Sequence, residues 1–224
     1  MKLAEQFVPL KIDAAKDRKL TRKFKVRGYP CIVFVNTEGK AVGRIGGYMP
    51  PDGFAAEMQR ILTVYRELPA LKAKLEANPD DLETASTLIS VYAGSGDTNR
   101  CRKIVRTIEE KDPENTQRRL GPAYSALADA YIENEKFRNA IKYYEMVVDL
   151  AADPAEKADA LIGRAYAQYM ESTQFEPGSK PAVNRVKKAK AELDELLGHT
   201  DLPEDRMEQA RHLLAQVTAD LPPE

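Results

Sequence analysis

Val26-Arg27-Gly28-Tyr29-Pro30-Cys31-Ile32-Val33-Phe34-Val35-Asn36-Thr37-Glu38-Gly39-Lys40 decides the fold of the first part of this 224-residue chain. Cys31 to Val35 is a continuous apolar run, the pattern of a strand buried on both faces. Glu38-Gly39 supplies a turn, and Ala41-Val42-Gly43-Arg44-Ile45 returns as the hairpin partner. Upstream, Phe7 to Asp13 reads as a short strand, and Asp17 to Val26 as a helix with Leu20 and Phe24 on one face. Downstream, Gly46 to Pro51 is a loop, after which Asp52 caps a helix carrying Phe54, Met58, Ile61, Leu62 and Tyr65. The expected order is β-α-β-β-α.

From Leu68 the strand signals stop. Helical patterns alternate with breaks at Asn78-Pro79, Gly94-Ser95-Gly96-Asp97, Asp112-Pro113, Asn134-Glu135 and Asp153-Pro154. Aligning on tyrosines gives three copies: Ala85-x2-Leu88-Ile89-x2-Tyr92, Tyr124-x2-Leu127-Ala128-x2-Tyr131 and Asp159-x2-Ile162-Gly163-x2-Tyr166. In the first two, a small residue and then a large apolar one follow, Cys101 and Val105, then Ala140 and Tyr144. The steps between the tyrosines are 39 and 35 residues, near the period of about 34 of tetratricopeptide units, which this part resembles. A loop at Glu114–Pro122 accounts for the longer step. In the third copy the second helix is displaced by Glu171–Pro181, and Met207, Ala210, Leu214 and Val217 form a last amphipathic helix. The fold class is therefore α/β followed by all-α: a β-α-β-β-α unit over residues 1–66, then an array of antiparallel helical hairpins over 67–224.

The charges exclude several functions. Lys plus Arg (34) balance Asp plus Glu (35), so no global field favours nucleic acid or an anionic membrane. Residues 1–30 carry nine bases and three acids, a net +6. Without aromatic residues interleaved, this reads as the solvated face of a helix. No apolar run is long enough to span a bilayer, and the first residues lack the apolar core of an export signal, so the expected compartment as written is the cytoplasm. Cys31 and Cys101 lie 70 residues apart, in parts assigned to different domains, so no disulfide between them is expected. His199 and His212 have no ligand spacing with them, so neither metal nor other cofactor is expected.

The stretch Phe7 to Leu62 resembles the later half of thioredoxin-family domains. The resemblance rests on the order and spacing of Val26-Arg27-Gly28-Tyr29-Pro30, the apolar strand, Asn36-Thr37-Glu38-Gly39-Lys40 and Gly46-Gly47-Tyr48. It implies that Pro30 is cis, that Tyr29, Pro30 and Cys31 form the substrate-binding site, and that the Tyr29 backbone is offered to an extended chain. It also implies a Cys-x-x-Cys upstream of a strand like Phe7–Asp13. Only six residues precede Phe7 here and none is Cys, so no catalytic dithiol is expected. The strand carrying that motif sits in the family between the counterparts of Phe7–Asp13 and Cys31–Val35. Its absence would leave backbone groups and apolar faces of both neighbours uncovered. On this ground residues 1–66 are read as an N-terminally incomplete thioredoxin-like domain, with Met1 an internal methionine of a longer protein. A missing N-terminal segment would hide any export signal, which leaves a periplasmic or exported compartment open beside the cytoplasm.

Cys31 is the one candidate nucleophile, but it lacks a nearby base, and at the head of an apolar strand it reads as a buried thiol. Cys101 sits at a packing position. Gly43-x-x-Gly46-Gly47 opens no helix and cradles no phosphate. Asp80-Asp81 and Glu109-Glu110 read as solvated acids beside helix ends. Two functional readings follow. In one, a thiol–disulfide-type domain is coupled to a repeat domain that recruits protein or peptide clients bearing disulfides, with no turnover expected from this chain alone. In the other, a non-catalytic scaffold binds partners in a groove lined by Ser86, Ser90, Tyr131, Asn134, Arg164 and Gln168.

Overall fold

The computed structural model describes residues 3–24, 26, 29–47, 49–199 and 202–221, with backbone only at 46 and 52. The chain divides into two compact units, Met1–Asn78 and Pro79–Glu224.

In the first unit Asp17 caps helix α1 (Arg18–Lys23), its carboxylate accepting the Leu20 N–H at 3.0 Å. Strands β1 (Cys31–Val35) and β2 (Ala41–Gly46) form an antiparallel hairpin that pairs Ile32 with Ile45 and Phe34 with Gly43. The turn works because Asn36 Oδ1 accepts the N–H groups of Glu38 and Lys40, at 3.0 and 2.9 Å. Gly39 takes φ +71°, which a side chain would resist. Helix α2 (Pro51–Ala77) covers one sheet face. Phe34, Ile45 and Ile61 form the buried core, flanked by Phe7, Met49, Phe54 and Met58. Gly43 makes this contact possible, since a Cβ there would lie 2.6 Å from Ile61 Cδ1.

Four expectations change here. Phe7–Asp13 forms no strand: the segment has no neighbouring strand, and Val8 is 95% and Leu10 79% exposed. The sheet is therefore two-stranded, in the order α-β-β-α. The β1 face carrying Cys31, Val33 and Val35 is less covered than the core face: Val35 is exposed and Cys31 and Val33 are half-buried, while Ile32, on the Phe34 face, is 40% exposed at the margin of the core. Asp52 is not the cap of α2; Pro50 holds that position and Pro51 begins the helix, where a missing N–H costs nothing. The seam placed after residue 66 falls inside α2, which runs on through Pro69 to Ala77.

The second unit is an array of α3 (Leu82–Gly94), α4 (Thr98–Lys111), α5 (Leu120–Glu133), α6 (Phe137–Leu150), α7 (Pro154–Ser172), α8 (Lys180–Leu197) and α9 (Glu204–Ala219), each packed on the next. Asp81, Asp97, Asp153 and Ser179 cap α3, α4, α7 and α8 through side-chain oxygens. Asp201, expected at a helix start, lies outside the described residues; Pro203 precedes α9. The loop after α4 is built around Asp112, whose carboxylate accepts the N–H groups of Thr116 and Gln117, each at 2.8 Å. α5 already begins at Leu120, so the loop is shorter than Glu114–Pro122.

The small-residue positions are closely packed. Cys101 and Ala140 are fully buried, with Val105 and Tyr144 beside them in the core. Tyr92 and Tyr131 are buried, but Tyr166 is 38% exposed. The turns explain the difference. Tyr92 O accepts from Ser95 N, and Tyr131 O accepts from Asn134 N. In the third turn the same bond runs from Thr173 N to Met170 O. Met170, 39 residues after Tyr131, is thus the counterpart of Tyr92 and Tyr131, and both steps of the array are 39 residues.

Two polar pairings cross the helices from α6 to α8. Glu171 of α7 is 1% exposed and meets Arg138 Nε of α6 at 2.8 Å and Arg185 Nε of α8 at 2.9 Å. Glu192 of α8 pairs with Arg164 and accepts from Gln168 Nε2 at 2.9 Å. A buried carboxylate needs such partners, because desolvation alone would make it strongly unfavourable.

Candidate functional site

Tyr29, Pro30 and Cys31 lie together where the chain enters β1. The Tyr29–Pro30 peptide is cis, as the resemblance implied. Pro30 O accepts the Gly47 N–H at 2.9 Å, which ties the entry of β1 to the exit of β2. Tyr29 is 72% exposed, and Pro30 is exposed beside it. Cys31 is half-buried rather than enclosed, because the face of β1 opposite α2 has little cover. Arg27, Gly28 and Tyr48 of the same sequence pattern lie outside the described residues.

The chemistry available at this position is narrow. Cys31 is the sole cysteine of the first unit, and that unit contains no histidine. One thiol can attack a disulfide and form a mixed disulfide; releasing the product needs a second thiol. Cys101, in the other unit, is fully buried and donates weakly to Ile89 O at 3.6 Å. Burial pushes its thiol up to about 12, so its thiolate is absent near neutral pH. Both cysteines are free. Among the described residues no three His, Cys, Asp or Glu side chains are grouped to hold a metal ion, and no helix is long and apolar enough to cross a membrane.

The groove residues read from sequence do not act together. Tyr131 and Gln168 are buried in the core, Arg164 is engaged by Glu192, and Asn134 ties two turns together. Only Ser90 is exposed and Ser86 half-buried on α3. The turn-to-turn role of Asn134 is what the sequence reading missed. The recurring Gly or Asn before each second helix was its one visible trace.

Residues 2–62 match the family model described as a thioredoxin-like domain. A probable protein disulfide-isomerase A6 of Medicago sativa is 27% identical over 163 residues, covering 71% of this chain and 44% of that protein. That match is longer than the first unit, so it reaches into the helical array, and the chain spans less than half of this relative's length. No solved structure matches the chain. The hairpin and the long covering helix lie within or start in residues 2–62, so the similarity to a thioredoxin-like domain covers this segment of the chain.

Proposed function

We propose that this chain is the client-binding part of a thioredoxin-family protein, with Met1–Asn78 as its thioredoxin-like portion and Pro79–Glu224 as a tetratricopeptide-like array that recruits protein clients. Tyr29, Pro30 and Cys31 receive an extended client segment. The observation that carries this reading is the exposed Tyr29 beside a half-buried Cys31, in a unit that has no second thiol. The chain captures a disulfide-bearing client and does not turn it over. An insulin-reduction assay with dithiothreitol as the electron source tests this. The expected result is the uncatalysed rate; in a separate incubation with insulin and no reductant, attack of the Cys31 thiolate on an insulin disulfide is expected to form a Cys31–insulin mixed disulfide and release one insulin thiol, a product absent in Cys31→Ser. Catalytic acceleration by these residues alone overturns it.

A second reading is a scaffold in which the helical array alone does the binding. It draws on the small polar face of α3, Ser86 and Ser90, and on a match to the plant relative that extends into the helices. Client binding that survives Tyr29→Ala together with Cys31→Ser favours it.

A further inference from the structure

Lys157, Leu161 and Arg164 recur along α7 at helical spacing, as do Glu192, Leu196 and His199 along α8, so each set lies on one helix face. The ion pairs Arg164–Glu192 and Glu171–Arg185 fix the two helices antiparallel and in register. The same register brings Leu161 opposite Leu196 and, towards the start of α7, Lys157 opposite His199. A cavity of about 210 Å³ opens there, lined by these residues, by Glu195 and by Val148 of α6.

Its wall is apolar, since Leu161 packs on the core that holds Leu196, and Val148 adds to it. The Arg164–Glu192 pair, steadied by Gln168, closes the inner end. At the mouth Lys157, Glu195 and His199 are exposed, and among the described residues none of the three has a side-chain partner. Lys157 and Glu195 thus carry opposite charges on one cavity without meeting. Both also oppose the helix dipoles. Lys157 stands in the first turn of α7, at its positive end, and Glu195 in the last turn of α8, at its negative end. The acids at the start of α7 are engaged elsewhere: Asp153 caps the Ala155 N–H, and Glu156 lies against Gly121.

We propose that this cavity binds a free α-amino acid with an aliphatic side chain. Its carboxylate pairs with Lys157 at the positive end of α7, beside His199. Its ammonium pairs with Glu195 at the negative end of α8, and its side chain rests on Val148, Leu161 and Leu196. Charges that are ill placed in the empty cavity are thereby matched. The volume corresponds to about seven water molecules, which suits valine, whereas drug-sized ligands take about 300–1,000 Å³. A peptide end offers only one of the two charges. The site lies wholly in the second unit and uses none of Tyr29, Pro30, Cys31, Ser86 or Ser90.

Calorimetric titration of the full chain with L-valine tests it. Saturable binding at one site is expected. N-acetyl-L-valine, which lacks the ammonium, and L-valinamide, which lacks the carboxylate, are each expected to bind about tenfold more weakly. Lys157→Ala and Glu195→Gln are expected to weaken L-valine by a similar factor. Glu195→Gln is also expected to raise the melting temperature of the unliganded protein, because it removes a charge that the α8 dipole opposes. A merely structural role for Glu195 would lower it. No saturable binding at millimolar L-valine overturns the proposal, as does equal binding of either blocked derivative. Unchanged affinity in either variant overturns it too, and so does a lower melting temperature in Glu195→Gln. Cys31→Ser is expected to leave every one of these results unchanged, so they are independent of the insulin-reduction result.

Discussion

The side-chain amide of Asn134 donates to the carbonyl of Gly96 at 2.7 Å, tying the turn between α5 and α6 to the turn between α3 and α4. The same amide also donates to Ala130 O at 2.8 Å. One step along, Gln174 Nε2 donates to Glu135 O at 3.0 Å. Corresponding turns are thus joined in series, each through one carboxamide. Asn134→Ala leaves Gly96 O without this donor and is expected to cost about 1–2 kcal/mol in urea unfolding. Gln174→Ala, whose bond is exposed, is expected to cost less than Asn134→Ala.

Gly163 is placed where the Tyr144 ring crosses α7. A Cβ at that position would stand 2.5 Å from ring carbons Cε1 and Cζ. Alanine in a helix interior ordinarily gains up to about 1 kcal/mol over glycine. Here overpacking against a buried ring costs about 1–3 kcal/mol, so Gly163→Ala is expected to be destabilising on balance. A lower urea midpoint with an unchanged slope is the result that agrees.

Asp112 gives the second unit an acid-sensitive loop. Hydrogen bonds from the Gln117 and Thr116 backbone and from the Thr116 hydroxyl hold its carboxyl below the ordinary carboxylate range. Its contribution is therefore complete above the unfolded value, about 3.9, and is lost as pH falls through the lower folded value. Thermal melts from neutral pH into the acid range are expected to show a drop in stability that is smaller in Asp112→Asn, which starts less stable at neutral pH.

The two thiols separate by environment. Native-state alkylation with iodoacetamide is expected to modify Cys31 first, with Cys101 reacting only on unfolding, since it is fully buried and its thiol is pushed up to about 12. Equal rates for the two would contradict the packing of α3 on α4.

The hairpin, its turn and the helical array were legible because each has a local cause. An apolar run followed by Asn36–Lys40 marks a turn and a returning strand, and the breaks at Asn78-Pro79, Gly94–Asp97 and Asp153-Pro154 mark helix ends by composition, whereas Asp81, read as a solvated acid, caps α3. What failed depended on neighbours. Phe7–Asp13 has the alternation of a strand, but a strand exists only where another pairs with it. The third copy was set on Tyr166 because the aromatic ring was conspicuous, whereas the turn bonds place Met170 there. The seam read after residue 66 falls inside α2, which continues through Pro69 to Ala77. Of the candidate site, Tyr29, Pro30 and Cys31 were found as a group, while the half-exposure of Cys31 follows from the uncovered face of β1, which no local pattern reveals.

Glu171 has two cations for one anion, and they are unequally placed: Arg138 is 76% exposed and Arg185 half-buried. Either arginine alone would neutralise the carboxylate, whereas losing both would strand a buried charge at a cost of about 3–5 kcal/mol. Sequence drift at this place is therefore order-dependent. A first replacement passes almost unnoticed, and it turns the remaining arginine into a position that can no longer change. Descendants of this chain should vary at one of the two arginines, or exchange all three charges together for apolar residues, but should not keep Glu171 alone.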